Sequence, residues 1–204
     1  MTRVVRFATD ADAPGVQAIY APFVRDTAVS FEVEPPTVAE MGGRITTTLA
    51  RWPWLVCADG GAVAGYAYAS AHRDRAAYQW SADVTVYVAP SHHRRGVGRA
   101  CYTALLRIVR LQGFHTAYAG ITLPNAGSVG LHETLGFTPV AVYREVGFKL
   151  GAWRDVGWWR LALAPPVPEP PPPRAFADVR GDADVAAAVA AGSALLAGPA
   201  TPRA

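Results

Sequence analysis

The chain has 204 residues, of which 51% are hydrophobic and 17% are charged, and its formal net charge is +3. This composition predicts a folded domain with a real core and excludes a chain that is disordered throughout. The mildly basic charge suits an anionic small molecule. The arginines form no basic stripe interleaved with aromatic residues, so we expect no nucleic acid partner.

The first residues run straight into a strand-like RVVRFA, and no apolar run approaches the length of a transmembrane helix. The two cysteines, Cys57 and Cys101, lie in apolar patterns, form no CxxC motif and have no histidine at metal-ligand spacing. We therefore expect buried free thiols, no metal site, no signal peptide, no membrane span and a cytoplasmic location.

Strands and helices alternate along residues 1–164. Thr9 and the capping box Thr37–Glu40 each predict the start of a helix, and Asp59-Gly60-Gly61 predicts a hairpin turn. Apolar periodicity predicts two later helices, over 100–111 and 128–135, and strands over 4–8, 54–58, 62–70, 78–89, 116–123, 139–146 and 156–163. This order predicts an α/β fold, a mixed sheet with helices on its faces.

The C-terminal part of the chain, residues 165–204, has a different composition. It opens with PPVPEPPPPRAF, which favours polyproline II, and continues into DADVAAAVAAGSALLAG, which can form a short helix with little large apolar surface. We expect the folded domain to end near Ala164 and residues 165–204 to form a mobile appendage, with docking onto the domain as the alternative.

The stretch HHRRGVGRACYTALL, residues 92–106, joins the strand VTVYV to a helix. The first turn of a helix has backbone N–H groups without internal acceptors, and glycines let the backbone approach a bulky anion. A pyrophosphate fits such a loop. The alternative is an exposed turn with solvated arginines. The Walker pattern and the dinucleotide GxGxxG are both absent.

Two of these motifs resemble those of a known superfamily. RRGVGR after VTVYV resembles the acetyl-coenzyme A loop of the GNAT N-acetyltransferases, and LPNAGSVGLHETLGF resembles their second motif. RWPWLVCADGGAVAGYAYAS, AYQWSADVTVYV, LPNAGSVGLHETLGF and FKLGAWRDVGWWRLAL resemble, in order, the phosphinothricin N-acetyltransferase branch. The resemblance covers roughly residues 3–163. It implies a GNAT fold with a mostly antiparallel central sheet, acetyl-CoA as cosubstrate and a homodimer.

The resemblance also implies catalytic roles. Asp83 stands where the family has a glutamate base, so we expect it to take the proton of the substrate amine, directly or through one water. The alternative is a strand-edge carboxylate paired with an arginine. His132 stands where many GNAT enzymes carry a tyrosine, and we expect it to stabilise the departing thiolate. The alternative is a histidine that packs in a short helix.

Binding residues follow from the same resemblance. We expect coenzyme A to contact Val86, Tyr87 and Val88 along a splayed strand, Asn125, and the loop residues Arg94, Arg95, Gly96, Val97, Gly98 and Arg99. We expect Arg73, Arg75 and Phe31 to bind the second substrate, with a solvated loop and a core position as the respective alternatives.

The expected reaction is transfer of acetyl from acetyl-CoA to the α-amine of a small amino acid. Candidates are phosphinothricin, methionine sulfoximine and methionine sulfone. Two other functions stay open, namely a GNAT enzyme for a different amine and a non-catalytic acyl-CoA-binding domain that has lost its base.

Overall fold

A computed structural model describes residues 3–196 of the chain. Seven strands and six helices follow one another in the order β1 Arg3–Phe7, α1 Ala13–Asp26, α2 Val38–Arg51, β2 Trp54–Asp59, β3 Ala62–Ala71, β4 Ser81–Val88, α3 Val97–Leu111, β5 Thr116–Leu123, α4 Ala126–Thr134, β6 Thr138–Lys149, β7 Ala152–Ala162, α5 Phe176–Val179 and α6 Ala183–Ala194.

The seven strands form one sheet in the order β1-β2-β3-β4-β5-β7-β6. All neighbouring pairs are antiparallel except β4 and β5, which are parallel. Alternate residues of β2 face opposite sides of the sheet. Leu55 and Cys57 pack with α3, while Trp54 and Val56 pack with α1 and α2. The predicted mixed, mostly antiparallel sheet with helices on both faces is confirmed.

The structure confirms several ends of helices and strands that local sequence motifs predict. The Glu40 N–H donates to Thr37 Oγ1 at 3.2 Å, and the Thr37 N–H donates to Glu40 Oε2 at 2.7 Å, so the capping box opens α2 as predicted. Gly60 and Gly61 both have positive φ, as the tight turn between β2 and β3 requires. Both cysteines are buried free thiols.

Two predicted strands have different bounds in the structure. Strand β4 begins at Ser81 instead of residue 78, because Ala76–Tyr78 forms a short 3-10 turn that uses its backbone groups locally. Strands β6 and β7 are longer than expected and join in a hairpin at Leu150 and Gly151, both with positive φ. The sequence analysis missed this turn because leucine is an unusual residue at positive φ.

The C-terminal segment up to residue 196 is docked onto the domain, so the expected mobile appendage is wrong for this part of the chain. Helix α6 packs on α3, and the side chains of Phe176, Val179, Val185 and Leu196 are buried in the main core. The Ser193 hydroxyl accepts from the Val5 N–H at 3.0 Å and donates to the Val5 carbonyl at 3.2 Å. Residues 197–204 lie outside the described part of the chain.

Small residues explain this docking. A Cβ added at Gly192 would lie 2.6 Å from the Ala100 carbonyl oxygen, so the two helices approach as closely as their backbones allow. Close approach gives many dispersion contacts without large side chains. Two hydrogen bonds also hold the proline-rich linker before α5 on the domain. Trp80 Nε1 donates to the Pro171 carbonyl and Gln112 Nε2 donates to the Arg174 carbonyl, both at 2.9 Å.

Among residues 3–196, none of the helices combines the length and apolarity needed to cross a bilayer.

Docking of the C-terminal segment gives a stability prediction. Phe176 is fully buried, and its ring meets Phe7 edge-on at 5.1 Å. Phe176→Ala should lower the free energy of unfolding by about 3 to 4 kcal/mol, through lost burial and the cavity left behind. Urea denaturation measures this value. Leu195→Ala, which truncates an exposed side chain of the same segment, is the control and should change it by less than about 0.5 kcal/mol. Equal stability of the Phe176→Ala variant and the wild type would mean that the segment is not docked in solution.

Candidate functional site

Strands β4 and β5 pair only at their beginnings. The parallel ladder joins Ser81–Asp83 to Thr116–Tyr118, and beyond Asp83 no strand of residues 3–196 pairs with that edge of β4. Strand β5 pairs with β7 along its other edge, from Thr116 to Leu123, so the edge of β5 that faces β4 has no strand partner among residues 3–196 beyond Tyr118. The two strands therefore diverge, and the splay that the resemblance implies is present.

A cleft of about 100 Å³ lies between the diverging strands. Its walls are Val84–Tyr87 from β4 and Ala119–Thr122 from β5, and the remaining lining residues are Val29, Tyr102, Asn125, Ser128 and His132. Four of the residues singled out in the sequence line this cleft: Val86, Tyr87, Asn125 and His132.

The open edge of β4 presents backbone groups to the cleft. The Ala89 N–H donates to the Ala64 carbonyl at 2.9 Å, so Ala89 faces β3. Because successive residues of a paired strand face opposite edges, the N–H groups of Val86 and Val88 point to the open edge. The His93 ring nitrogen Nε2 lies 3.0 Å from the Val88 carbonyl and takes up this acceptor.

The loop before α3 brings bare N–H groups to the same end of the cleft. Gly96 has a φ of 81° and caps α3, and the first intrahelical bond runs from the Ala100 N–H to the Gly96 carbonyl. The N–H groups of the three preceding helical residues thus lack helical acceptors. A Cβ on Gly98 would lie 3.1 Å from Leu131 Cδ2, so this glycine lets α3 approach α4.

The other predicted loop residues fall into two groups. Arg94, Arg95 and Arg99 are exposed, whereas the Val97 side chain is part of the core and only its backbone can face a ligand. Arg94 has a φ of 58°, and the Arg95 carbonyl accepts from Arg3 at 3.0 Å. Three exposed arginines therefore lie in the loop and the first turn of α3, beside N–H groups without helical acceptors, a combination that suits a pyrophosphate.

His132 is buried on α4 and held at both nitrogens. Nδ1 lies 2.7 Å from the Ser128 carbonyl, which can only accept, so Nδ1 carries the proton. Nε2 then accepts from the Tyr102 hydroxyl at 3.1 Å. Burial lowers the pKa of His132, against the opposing effect of the Ser128 carbonyl, and burial raises the pKa of Tyr102 well above its ordinary value. Both groups are therefore neutral near pH 7.

Asn125 is the N-cap of α4. Its side-chain oxygen accepts from the Ser128 N–H at 3.1 Å, which fixes the start of the helix that carries His132. Because Asn125 also lines the cleft, its amide nitrogen remains available to a ligand.

Asp83 sits where the paired part of β4 ends, directly before the cleft-lining Val84. Its Oδ1 lies 2.7 Å from Nδ1 of His72, and about a quarter of its side chain is exposed. Burial raises the pKa of Asp83, and the His72 hydrogen bond and the nearby Arg73 charge act against this rise. The carboxylate is therefore paired with a histidine and not with an arginine.

The two candidate substrate arginines lie in different environments. The Arg73 guanidinium carbon lies 5.6 Å from the centre of the Trp158 ring, and Arg73 donates to the His72 carbonyl at 3.0 Å. The Arg75 side chain is exposed and makes no hydrogen bond or ion pair with other residues of the 3–196 range, and only its backbone carbonyl is engaged, by the Tyr78 N–H. The structure thus brings Arg73, but not Arg75, into contact with the surroundings of Asp83.

Phe31 belongs to a loop that Lys149 fastens to the domain. Lys149, the only lysine of the chain, is buried and donates to the carbonyls of Val24, Ser30 and Glu32 at 2.6, 2.6 and 2.7 Å. The Phe31 ring lies against Gly147, where any Cβ would overlap it. This loop also brings Val29 to the cleft.

The sequence analysis did not single out four residues of the site, namely His72, Tyr102, Ser128 and Lys149. Their contacts join segments far apart in the chain, except for Ser128 and His132, whose spacing of four residues on one helix was a usable signal.

Comparisons with known proteins agree with this geometry. A family model described as an acetyltransferase (GNAT) domain matches residues 5–158. The chain belongs to the GNAT acetyltransferase family. It is 41% identical over 167 residues to a phosphinothricin N-acetyltransferase of Streptomyces viridochromogenes, a match that covers 82% of this chain and 91% of the relative.

Other GNAT relatives have related names. An L-methionine sulfoximine/L-methionine sulfone acetyltransferase of Salmonella typhimurium is 34% identical, over 78% of this chain and 94% of the relative. Among solved structures, a GNAT superfamily phosphinothricin acetyltransferase from Sinorhizobium meliloti in complex with AcCoA superposes with a TM-score of 0.79 and 32% identity. That match covers 86% of this chain and 99% of the other. The chain is thus an N-acetyltransferase by family.

The Lys149 contacts predict a selective effect on the second substrate of the GNAT domain. Lys149→Met leaves the carbonyls of Val24 on α1 and of Ser30 and Glu32 in the loop after α1 without their donor, which should lower the free energy of unfolding by about 2 kcal/mol and loosen the loop. The KM for the amine should rise more than the KM for acetyl-CoA, because the loop borders only one end of the cleft. Steady-state kinetics with each substrate varied measures both constants.

Arg25→Met is the control, since it removes one positive charge from an exposed position on the same helix that contributes the Val24 carbonyl. Equal increases in both KM values for the Lys149→Met variant would contradict a local role of the lysine.

Proposed function

We propose that this enzyme transfers acetyl from acetyl-CoA to the α-amine of a small amino acid whose side chain ends in a tetrahedral anionic or polar group. Phosphinothricin, methionine sulfoximine and methionine sulfone are the candidate substrates, and the names of the relatives support this class. Acetyl-CoA is the cosubstrate, and the mechanism uses no metal.

The main support for this proposal is the cleft between β4 and β5, which forms where the two strands separate. An extended pantetheine arm can lie along the open edge of β4, where Val86 and Val88 offer backbone N–H groups and Tyr87 lines the wall. The pyrophosphate then reaches the bare N–H groups of Val97, Gly98 and Arg99 and the guanidinium groups of Arg94 and Arg95. Gly96 and Gly98 fit this role because they allow a close approach of the backbone.

Asp83 is the general base of the proposal. The ammonium group of the substrate loses a proton to Asp83, and the nitrogen lone pair forms a bond to the thioester carbon. Backbone N–H groups at the open edge of β4 stabilise the oxyanion. The carbon–sulfur bond then breaks with its electron pair on sulfur, and the extra proton on the nitrogen passes to the sulfur, so that the products are the neutral amide and the free thiol of CoA. A raised pKa suits Asp83 to accept a proton near neutral pH.

The buried pair of Tyr102 and His132 stabilises the departing thiolate. Both nitrogens of His132 are engaged, so the group that can donate to sulfur is the Tyr102 hydroxyl. A phenol has one proton, so Tyr102 releases His132 Nε2 when it turns toward the thiolate. Asn125 fixes the helix that carries this pair and contacts the pantetheine.

The second substrate lies on the Asp83 side of the sheet. Arg73 binds its carboxylate or its tetrahedral end group, Arg75 adds positive charge at the rim, and Phe31 closes the pocket. A polyamine does not suit this end of the site, because its charges would repel those of the two arginines.

A homodimer is part of the proposal, with the edge strand β6 and its hairpin to β7 as the contact surface. Val140, Val142, Val146, Phe148, Leu150 and Trp153 are all more than 40% exposed there. An apolar surface of this kind at a sheet edge is suited to a second copy. We further propose a cytoplasmic location and no nucleic acid partner.

The first experiment is an assay of CoA release from acetyl-CoA by the purified protein. Phosphinothricin, methionine sulfone, methionine and spermidine are supplied in parallel, and the first two should be acetylated.

Asp83→Asn should lower kcat by about a hundredfold or more, because the amide cannot accept the proton. With the wild type, kcat should fall as the pH drops through the pKa of Asp83, which lies above that of an ordinary aspartate.

Asp59→Asn is the matched control, since Asp59 also pairs with a histidine and is equally exposed, at 27% against 26% for Asp83. Turnover that persists in the Asp83→Asn variant would support acetyl transfer and contradict the role of Asp83 as the base. Binding of acetyl-CoA without acetylation of any amine would favour the acyl-CoA-binding domain instead.

The proposed dimer is tested by light scattering coupled to size exclusion. The wild type should elute with twice the mass of one chain, and a Phe148→Ser, Trp153→Ser double variant should elute as a monomer, because it removes the two most exposed rings of this surface. Val167→Ser removes an exposed apolar side chain elsewhere and should leave the dimer intact. A monomeric wild type would refute the proposal.

A further inference from the structure

His72 directly follows strand β3 and meets the side chain of Asp83 on the neighbouring strand. The distance from His72 Nδ1 to Asp83 Oδ1 is 2.7 Å. Both side chains are mostly buried, with 14% of His72 and 26% of Asp83 exposed. The pair lies at the point where β4 and β5 separate.

Aromatic rings fix the His72 imidazole on three sides. It stacks on Tyr118 at 4.3 Å with an interplanar angle of 16°. Trp158 and Tyr78 meet it edge-on at 5.8 and 6.0 Å. A ring held in this way has few alternative rotamers, so its Nδ1 stays directed at Asp83.

The proton on Nδ1 determines what Asp83 can do. If Nδ1 carries the proton, it donates to an ionised carboxylate and stabilises that charge against the cost of burial. The second carboxyl oxygen, Oδ2, makes no hydrogen bond to other residues in the described range 3–196. It is therefore free to accept a proton.

We propose that His72 is a positioning residue for acetyl transfer, and that its Nδ1–H holds Oδ1 of Asp83 so that an ionised Oδ2 faces the substrate amine. This inference rests on the proposed function. The proton moves from the ammonium nitrogen of the substrate to Oδ2, and the electron pair of the broken N–H bond stays on nitrogen for attack. Solvent then takes the proton from Asp83.

Other titratable and charged groups around the pair come from several elements. They are Arg73 beside His72, Tyr68 on β3, Tyr78 on the turn before β4, Tyr118 on β5 and Arg160 opposite Tyr118 on β7. Burial raises the pKa of Tyr68, so its phenol is neutral near pH 7, and the Arg73 charge favours the ionised form of Asp83. The acid limb of the kcat profile is therefore assigned to Asp83.

Two substitutions distinguish the effect of the His72 N–H donor from the effect of its aromatic ring. His72→Phe keeps a ring for stacking on Tyr118 but removes the N–H, so kcat at pH 7 should fall about tenfold with a smaller change in KM. The acid limb of the kcat profile should move to higher pH, because Asp83 then loses the bond that lowers its pKa. His72→Asn places an amide N–H near the position of Nδ1 and should retain most of the activity. His92→Phe, in the Asp59 pair, is the matched control.

An Asp83→Asn background tests whether both residues act as one unit. Adding His72→Phe to it should cause little further loss, since the positioned group is already gone. A His72→Phe variant with wild-type kcat and an unchanged pH profile would overturn the inference while leaving acetyl transfer intact.

Nitrogen NMR of the wild-type protein measures the protonation of His72 Nδ1 without any turnover. Signals of His72 are assigned by their loss in His72→Phe, and the expected result is a protonated Nδ1 at pH 7. An unprotonated Nδ1 would place the proton on Asp83 and overturn the inference whatever the activity. Failure of the wild type to acetylate any amine would instead contradict the proposed function, and a protonated Nδ1 would then still show that His72 is the donor to Asp83.

Discussion

The separation of β4 from β5 after Asp83 is the constraint on which the site depends. A buried strand edge without a partner is unfavourable, so the backbone groups that are released need other acceptors and donors. Beyond Asp83 and Tyr118 the facing edges of β4 and β5 have no strand partner among residues 3–196, and the His93 ring takes up the Val88 carbonyl. The site is therefore a place where the sheet omits hydrogen bonds that a ligand can supply.

Strand alternation on β4 places the proposed base and the proposed coenzyme surface on opposite faces of the sheet. Val84, Val86 and Val88 lie on the α3 side, where the coenzyme loop begins, while Asp83 lies on the opposite side with His72 and Tyr118. Because the side-chain period of a strand is two, a shift of one residue would exchange these sides. The register with β3, from Gly65–Val88 to Ala71–Ala82, fixes the position of Asp83, the proposed base, relative to the valines of the proposed coenzyme surface.

Much of this architecture could be predicted from local patterns. The capping box, the glycine turn after Asp59 and the Gly96–Gly98 loop act within a few residues, and each signal lies in adjacent positions of the sequence. The docked C-terminal helix could not be found in this way, because its burial depends on the fit between Gly192 and the Ala100 backbone. Lys149 is a similar case, since its three carbonyl partners lie 117 to 125 residues away.

Burial has different consequences for three polar residues of this domain. At Lys149 the buried ammonium group meets three carbonyls, so the desolvation cost is offset by geometry and the group serves only to fix a loop. At His132 burial favours the neutral ring, which then holds the Tyr102 hydroxyl. At Asp83 burial raises the pKa and the hydrogen bond from His72 limits the rise, so that a carboxylate with a free oxygen persists beside the cleft. A base needs this balance, because full solvation would make it too weak and unopposed burial would protonate it.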